Sequence, residues 1–154
     1  MEKVKILGGG ISGLTAAINL KHAGINVEVH ERKEYCGKAT CDFQFMENWI
    51  FEEDALSALE KFNITSNFYV KPWYSIEFIS PSLKRCLKRS THPVMYVLKR
   101  GPKEGSIDYA LQKQVTDAHI PIIFKSKLTT DDADIIATGR NNPNFMITGI
   151  SFPF

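Results

Sequence analysis

Residues 5–20 read KILGGGISGLTAAINL, and they decide how the rest of the chain is read. Val4–Leu7 is short and apolar, as a buried parallel strand is. Gly8–Gly13 follows as a glycine turn. Ser12–Ala23 is predicted as a helix, because Leu14, Ala17, Ile18 and Lys21 fall at i, i+3, i+4 and i+7 and the first three are apolar. Gly24 then ends the helix as a C-terminal glycine does. In INVEVHE (25–31), Ile25, Val27 and Val29 alternate with Asn26, Glu28 and His30, a strand pattern that finishes on Glu31. The first 31 residues therefore predict one βαβ unit with short connections.

A G-x-G-x-x-G turn alone is a weak signal. Here it has a strand before it, a helix after it, a second strand, and an acid at that strand's end. Gly8 permits the tight turn, Gly10 lets a pyrophosphate approach the backbone, and Gly13 lets helix and strand pack closely. The amides near Ile11–Gly13, at the helix start, then face the negative charge. Glu31, 18 residues beyond Gly13, is placed to accept hydrogen bonds from ribose hydroxyls. A carboxylate there repels a 2′-phosphate, which disfavours NADP. The alternative is a tight turn of purely structural purpose.

Outward from this unit, residues 32–52 read as loop, with an aromatic segment CDFQFMENWIF whose Phe43, Phe45 and Trp49 are candidates to fill the core. Asp54–Lys61 is predicted as a short helix, with Leu56, Leu59 and Phe62 on one side. Residues 71–100 suggest antiparallel strands WYSIEFI, LKRCLKR and VMYVLKR, separated by Pro-Ser and Thr-His-Pro breaks. Ser106 suits a helix N-cap, Ile107, Leu111, Val115 and Ala118 continue at helical spacing, and Asp108 complements the helix dipole. IPIIF (120–124) is a strand candidate weakened by its proline. ADIIATG (133–139) is another, ending in glycine. The fold class that follows is α/β: a Rossmann-like FAD- or NAD(P)-binding domain, its parallel sheet flanked by helices, with a small antiparallel insertion at about 71–100.

Composition narrows the function further. The chain has 154 residues, 44% hydrophobic and 23% charged, with net charge +2. That suits one soluble domain able to bury a core, and gives no general case for a nucleic-acid partner or an anionic surface. No apolar run reaches the ~18–20 residues of a transmembrane helix. The opening MEKVKILGGG does not read as a signal peptide, so a cytoplasmic location is expected. Cys36, Cys41 and Cys86 are an odd set, which argues against a disulfide framework. Cys36 and Cys41 lack Cys-x-x-Cys spacing and read as loop residues before a redox pair. The histidines at 22, 30, 92 and 119 are scattered, so no metal site is expected. Lys84, Arg85, Lys88 and Arg89 invite a membrane or NADPH-phosphate reading, but they fall on alternating faces of a strand and read rather as a charged, solvated edge.

In ERKEYCGKA (31–39) Gly37 stands six residues after Glu31. Here the chain resembles the two-dinucleotide-binding flavoproteins, whose FAD site runs from the ribose-binding acid into a Gly-Gly turn; Cys36 occupies the other glycine's place. DFQFMENW (42–49), KRGPKEGSIDYALQKQ (99–114) and ADIIATG look like segments of the geranylgeranyl-reductase-like group of FAD-dependent oxidoreductases. In that group an Arg precedes a helix with an early Asp, here Arg100 and Asp108, and a strand ends in Ala137-Thr138-Gly139 beside the flavin nucleotide. The resemblance implies FAD as cofactor and a binding set of Gly8, Gly10, Ile11, Ser12, Gly13, Glu31, Arg32, Gly37, Lys38, Gln44, Arg100 and Gly139. Asp42 and Glu47 share the segment that carries Gln44.

The resemblance also implies the chemistry: reduction of carbon–carbon double bonds, in a lipid-like or other small-molecule substrate, through the flavin. Members of the group run to more than twice this length, so the chain is expected to be truncated or to need a partner chain. Ile150, Phe152 and Phe154, in the apolar tail, are expected to meet such a partner or fold back on the sheet. The second reading is a non-catalytic module that holds FAD or its ADP half. A third, an NAD-binding domain of other chemistry, is disfavoured by the segments after Glu31.

Overall fold

A computed structural model describes residues 3–37, 41–50 and 52–139. Strand β1 (Val4–Leu7) lies at the centre of a parallel sheet, between β2 (Val27–His30) and β9 (Ile135–Ile136), with β8 (Ile122–Ile123) beyond β2. Ile6 pairs with Val29 on one side and Ile135 on the other. Ile6 and Val29 are fully buried, as central parallel strands demand. Helix α1 (Ile11–His22) covers the sheet with Leu14, Ala17 and Ile18, and packs against α3 (Ile107–Asp117), which contributes Leu111 and Val115 to the same core. Each large apolar side chain so buried stabilises the fold by ~1.5–3 kcal/mol. Gly24 ends α1 at φ +77°, with its N–H on Lys21 O and that of Ile25 on Leu20 O, both at 3.0 Å. The βαβ unit is as expected.

The two later parallel strands are shorter than their sequences suggest. In IPIIF only Ile122–Ile123 pair, at the sheet edge, where a preceding Pro121 is tolerated; its carbonyl accepts from Val29 N at 2.9 Å. In ADIIATG only Ile135–Ile136 pair, and Ala137 to Gly139 leave the sheet toward the glycine turn.

The stretch expected as loop corrects the reading most. Asp42–Glu47 is a strand, β3, paired antiparallel along its length with β7 (Met95–Arg100), whose other side takes β4 (Val70–Trp73). Apolar residues of both parities, Phe43 and Phe45 against Met46, hide its period of two, and its partner lies some 50 residues away. Met46, Val70, Tyr96 and Leu98 face the core. Phe43, Phe45 and Trp49 do not fill it: they are 46%, 52% and 54% exposed. Phe43 and Phe45 instead stack edge-on with Tyr69 and Trp73 at 6.1 and 6.2 Å.

The antiparallel insertion at 71–100 is divided between two sheets. β4 and β7 join β3, while β5 (Ser75–Ile79) and β6 (Arg85–Arg89) form a hairpin that contributes nothing to the core. Helix α2 (Ala55–Lys61) is capped by Asp54, whose carboxylate accepts from Leu56 N at 2.9 Å and from the Tyr96 hydroxyl at 2.5 Å. Asn48 completes the knot, accepting from Ala55 N at 2.6 Å and donating to Pro93 O at 2.8 Å. Ala55 and Ala58 are the buried residues of α2; Leu56 and Leu59 pack partly, and Phe62, expected inward, is 50% exposed. Among the described residues no helix is long and apolar enough to cross a membrane. Lys38 and the tail with Ile150, Phe152 and Phe154 lie outside the described residues.

Candidate cofactor cleft

A cleft of about 1730 Å³ opens at the carboxyl ends of the parallel strands, between the glycine turn, the end of β2, the loop after β8 and the Ala137–Gly139 segment. This is where open α/β sheets bind ligands. It exceeds the ~300–1,000 Å³ of a pocket for a drug-sized ligand. Arg32, Lys33, Arg100 and Lys127 line it, with Glu31 as the one acid among its described lining residues. Such a wall favours an anion that also carries hydroxyl groups to satisfy Glu31.

The turn is built for close approach. A Cβ on Gly13 would lie 1.9 Å from Gly8 O, so α1 can start beside β1 only with glycine there. Gly13 is thus packed beneath the turn. Gly10 is the opposite: nothing lies within 4 Å of where its Cβ would be. Gly10 is also the N-cap of α1, with no side-chain hydrogen bond to the helix and no acid in the first turn. The positive end of the helix therefore faces open space.

Glu31 braces the same turn. One carboxylate oxygen accepts from Gly9 N and the other from Lys33 N, both at 2.8 Å. A carboxylate has about four acceptor sites, so two remain for hydroxyls. Gly9, not singled out from sequence, is hemmed in by Cys36 Sγ and the Glu31 side chain. Cys36 is 1% exposed, and burial, then the Glu31 and Asp108 carboxylates, push its thiol up to about 12. It is a packing residue, unlike exposed Cys41, and both are free thiols.

The far wall centres on Asp108, whose side chain is fully buried. It accepts from Arg100 Nε and Nη2 at 2.8 and 2.9 Å and from Gly101 N at 2.8 Å. Its expected partnership with the helix dipole is thus joined by a two-pronged ion pair. Arg100 Nη1 donates to Gln44 Oε1, which brings β3 to the cleft. Gly37 sits on this knot at φ +75°, where a Cβ would lie 2.2 Å from Asp108 Oδ1, and its N–H donates to Gly9 O at 2.9 Å. Ser106 caps α3, accepting from Tyr109 N at 3.1 Å and donating to Gly101 O.

Of the twelve residues named from sequence, Gly8, Gly10, Ile11, Ser12, Glu31, Arg32, Gly37, Gln44, Arg100 and Gly139 line this one cleft. Gly13 supports it from below. Asp42 and Glu47 are not among its lining residues. Sequence reasoning missed Ser126, Lys127, Leu128 and Thr130. It also took His30 as isolated. His30 Nδ1 lies 2.9 Å from Ser126 Oγ and Nε2 3.1 Å from Glu28 Oε1. Ser126 Oγ also accepts from Leu128 N at 3.1 Å, and His30 Nε2 donates to the Glu28 carboxylate. The hydrogen bond from His30 holds the Glu28 carboxyl below its ordinary range, with help from Lys3 and against partial burial. The chain of contacts anchors the 126–128 loop over one end of the cleft.

The fold is a Rossmann-like α/β domain with a parallel sheet and small antiparallel sheets. Residues 6–53 match the family model described as NAD(P)-binding Rossmann-like domain. Among solved structures, a tetrameric 2-methyl-3-hydroxypyridine-5-carboxylic acid oxygenase superposes with a TM-score of 0.61 at 20% identity, over 82% of this chain and 32% of its own. A geranylgeranyl bacteriochlorophyll reductase-like protein from Thermoplasma acidophilum gives 0.59 at 19% identity, over 80% of this chain and 30% of its own. A flavoprotein/dehydrogenase from Cytophaga hutchinsonii gives 0.53 at 14%, over 80% and 30%. The chain thus spans about a third of the length of these proteins. No curated protein matches it.

Proposed function

We propose that the chain binds FAD in this cleft and forms the cofactor-binding part of an FAD-dependent oxidoreductase. The observation that carries the reading is the uncapped start of α1 beside the open space over Gly10, with Glu31 at the end of the neighbouring strand. The amides of Ile11, Ser12 and Gly13 would take the pyrophosphate, and Glu31 the ribose hydroxyls. Arg32 and Lys33 flank Glu31 at the nucleotide end. Gln44, Arg100 and Gly139 line the cleft beyond the turn, and we assign them to the flavin part of the ligand. Bound FAD would supply the electron transfer; the protein's own groups bind, orient and shield it.

The substrate we infer is a small or lipid-like molecule with a reducible carbon–carbon double bond. It rests on the sequence resemblance and on the reductase-like protein among the structural relatives. The second reading, a module without turnover of its own, is favoured by one observation: the structural relatives are about three times as long as this chain. In it, the substrate site would come from a partner or from further polypeptide.

The test is an absorption spectrum of the purified chain after gel filtration with excess FAD, beside Gly10→Val. The extended backbone of Gly10 and the space around it let valine fit without disturbing the fold. Flavin bands that stay with the wild type and leave with Gly10→Val are the expected result. A wild type that retains no flavin overturns the reading, and retention of NAD alone would put nicotinamide chemistry in its place. Turnover of flavin-bearing protein with reduced nicotinamides and an alkene separates the enzyme from the module.

A further inference from the structure

The β5–β6 hairpin is unlike the rest of the molecule. Every residue from Pro81 to Ser90 is exposed, and the hairpin forms a sheet of its own. Two strands without a packed face are marginal in water. Yet its apolar side chains are large: Phe78 is 56% exposed, Ile79 53%, Leu83 80% and Leu87 51%. The pairing puts Phe78 on one face and Ile79 and Leu87 on the other, so the hairpin is apolar on both sides and around its tip, and exposed apolar groups of this size mark a contact.

Two features identify what it contacts. The first is charge. Lys84, Arg85, Lys88 and Arg89 stand on the hairpin against a single acid, Glu77, which lies 3.6 Å from Arg85. The partner is therefore anionic. The pairing puts Arg85, Leu87 and Arg89 on one face and Cys86 and Lys88 on the other. Cations on both faces do not suit a flat docking patch. They suit a finger that enters a layer of negative groups tip first and meets them on all sides.

The second feature is the tip. The turn is closed by Leu83 N on Ser80 O at 2.8 Å and Ser80 N on Lys84 O at 2.9 Å. Leu83, the most exposed apolar residue in the fold's described part, sits there at φ +61°. That left-handed conformation favours glycine or asparagine, and a leucine there is strained. Folding gains nothing from its side chain, which projects into solvent. A nucleic acid would use the cations but leave the leucine in water, and a peptide would cover one face; a bilayer meets both faces and the apolar tip together.

We propose that the β5–β6 hairpin docks the protein on anionic membranes, with Leu83 and its apolar neighbours entering the headgroup–acyl boundary and Lys84, Arg85, Lys88 and Arg89 meeting lipid phosphates. The proposal is independent of what the cofactor cleft holds.

Cosedimentation of the full chain with vesicles of phosphatidylcholine, with and without phosphatidylserine, tests it. Binding to the anionic vesicles and little to the neutral ones is expected. Leu83→Asn relaxes the turn, so its urea midpoint should equal or exceed that of the wild type while vesicle affinity falls at least about tenfold. Lys84→Gln with Arg85→Gln should lower affinity about 30-fold. No binding by the wild type overturns the proposal. So does affinity that Leu83→Asn leaves unchanged while RNA binds equally well, which would make the hairpin a polyanion contact. A dimer in ultracentrifugation that Leu83→Asn dissociates, with no vesicle binding, would overturn it as well, by assigning the hairpin to contact between copies.

Discussion

Ile6 and Val29, neighbours across the parallel sheet, are both 0% exposed, while Phe45 and Trp73, stacked on the antiparallel sheet, are 52% and 42% exposed. The parallel sheet is covered by α1 and its polar opportunity lies at one end, where the strands stop and the cleft begins. The antiparallel sheet packs Met46, Tyr96 and Leu98 inward and presents aromatics outward. The first arrangement makes a site from backbone amides held by a core. The second makes a surface. The two share one apolar core and are also tied at the cleft by polar knots, Arg100–Asp108 above all, whose loss should weigh heavily.

Removing that joint is expected to have the largest effect. Asp108→Ala strands the Arg100 guanidinium, whose side chain is only 15% exposed, and should cost about 3–5 kcal/mol in urea unfolding. Asp108→Leu with Arg100→Met should recover much of that loss, because no charge is left unpaired. Equal destabilisation by the single and the double variant would show that the joint acts through shape alone.

An intermediate effect should appear in alkali, with one group beside the glycine turn and one on the antiparallel sheet. The thiol of Cys36 titrates near 9.0 in an unfolded chain and at about 12 in the fold. Its contribution to stability is therefore full below pH 9 and is lost as pH rises through 12. The Tyr96 phenol, pushed up to about 12 by burial and then by Asp54, adds to the decline from about pH 10. Urea midpoints measured between pH 8 and 10 should fall for the wild type and fall less for Cys36→Ala. Identical slopes would mean that Cys36 is wetter than the packing around Gly9 implies.

The smallest effect belongs to the outward aromatics. Phe45→Thr keeps a strand-forming residue on an exposed face and should change stability by no more than ~0.5 kcal/mol. A loss of several kcal/mol would break the comparison, because it would mean that the aromatic face is covered in the folded state in solution.

The bounds of β1, the existence of α1 and β2 (α1 one residue earlier than expected, β2 shortened to Val27–His30), the glycine stop at Gly24 and the Ser106 cap were legible in the sequence because each rests on local chemistry. Apolar spacing, φ > 0 at a glycine and a hydroxyl before a helix all act within a few residues. The same holds for the glycine turn and the acid that follows it, which is why residues named from sequence share one cleft. Three things were decided by the tertiary structure alone. Asp42–Glu47 becomes a strand because Met95–Arg100 comes to lie beside it and satisfies its backbone. Gly37 is required by the Asp108 carboxylate beneath it, 71 positions further on. His30 becomes part of the cleft wall because Ser126, 96 residues away, meets its ring. Each of these is a contact between distant segments, and a contact exists only once the chain has paid the loop entropy of bringing them together.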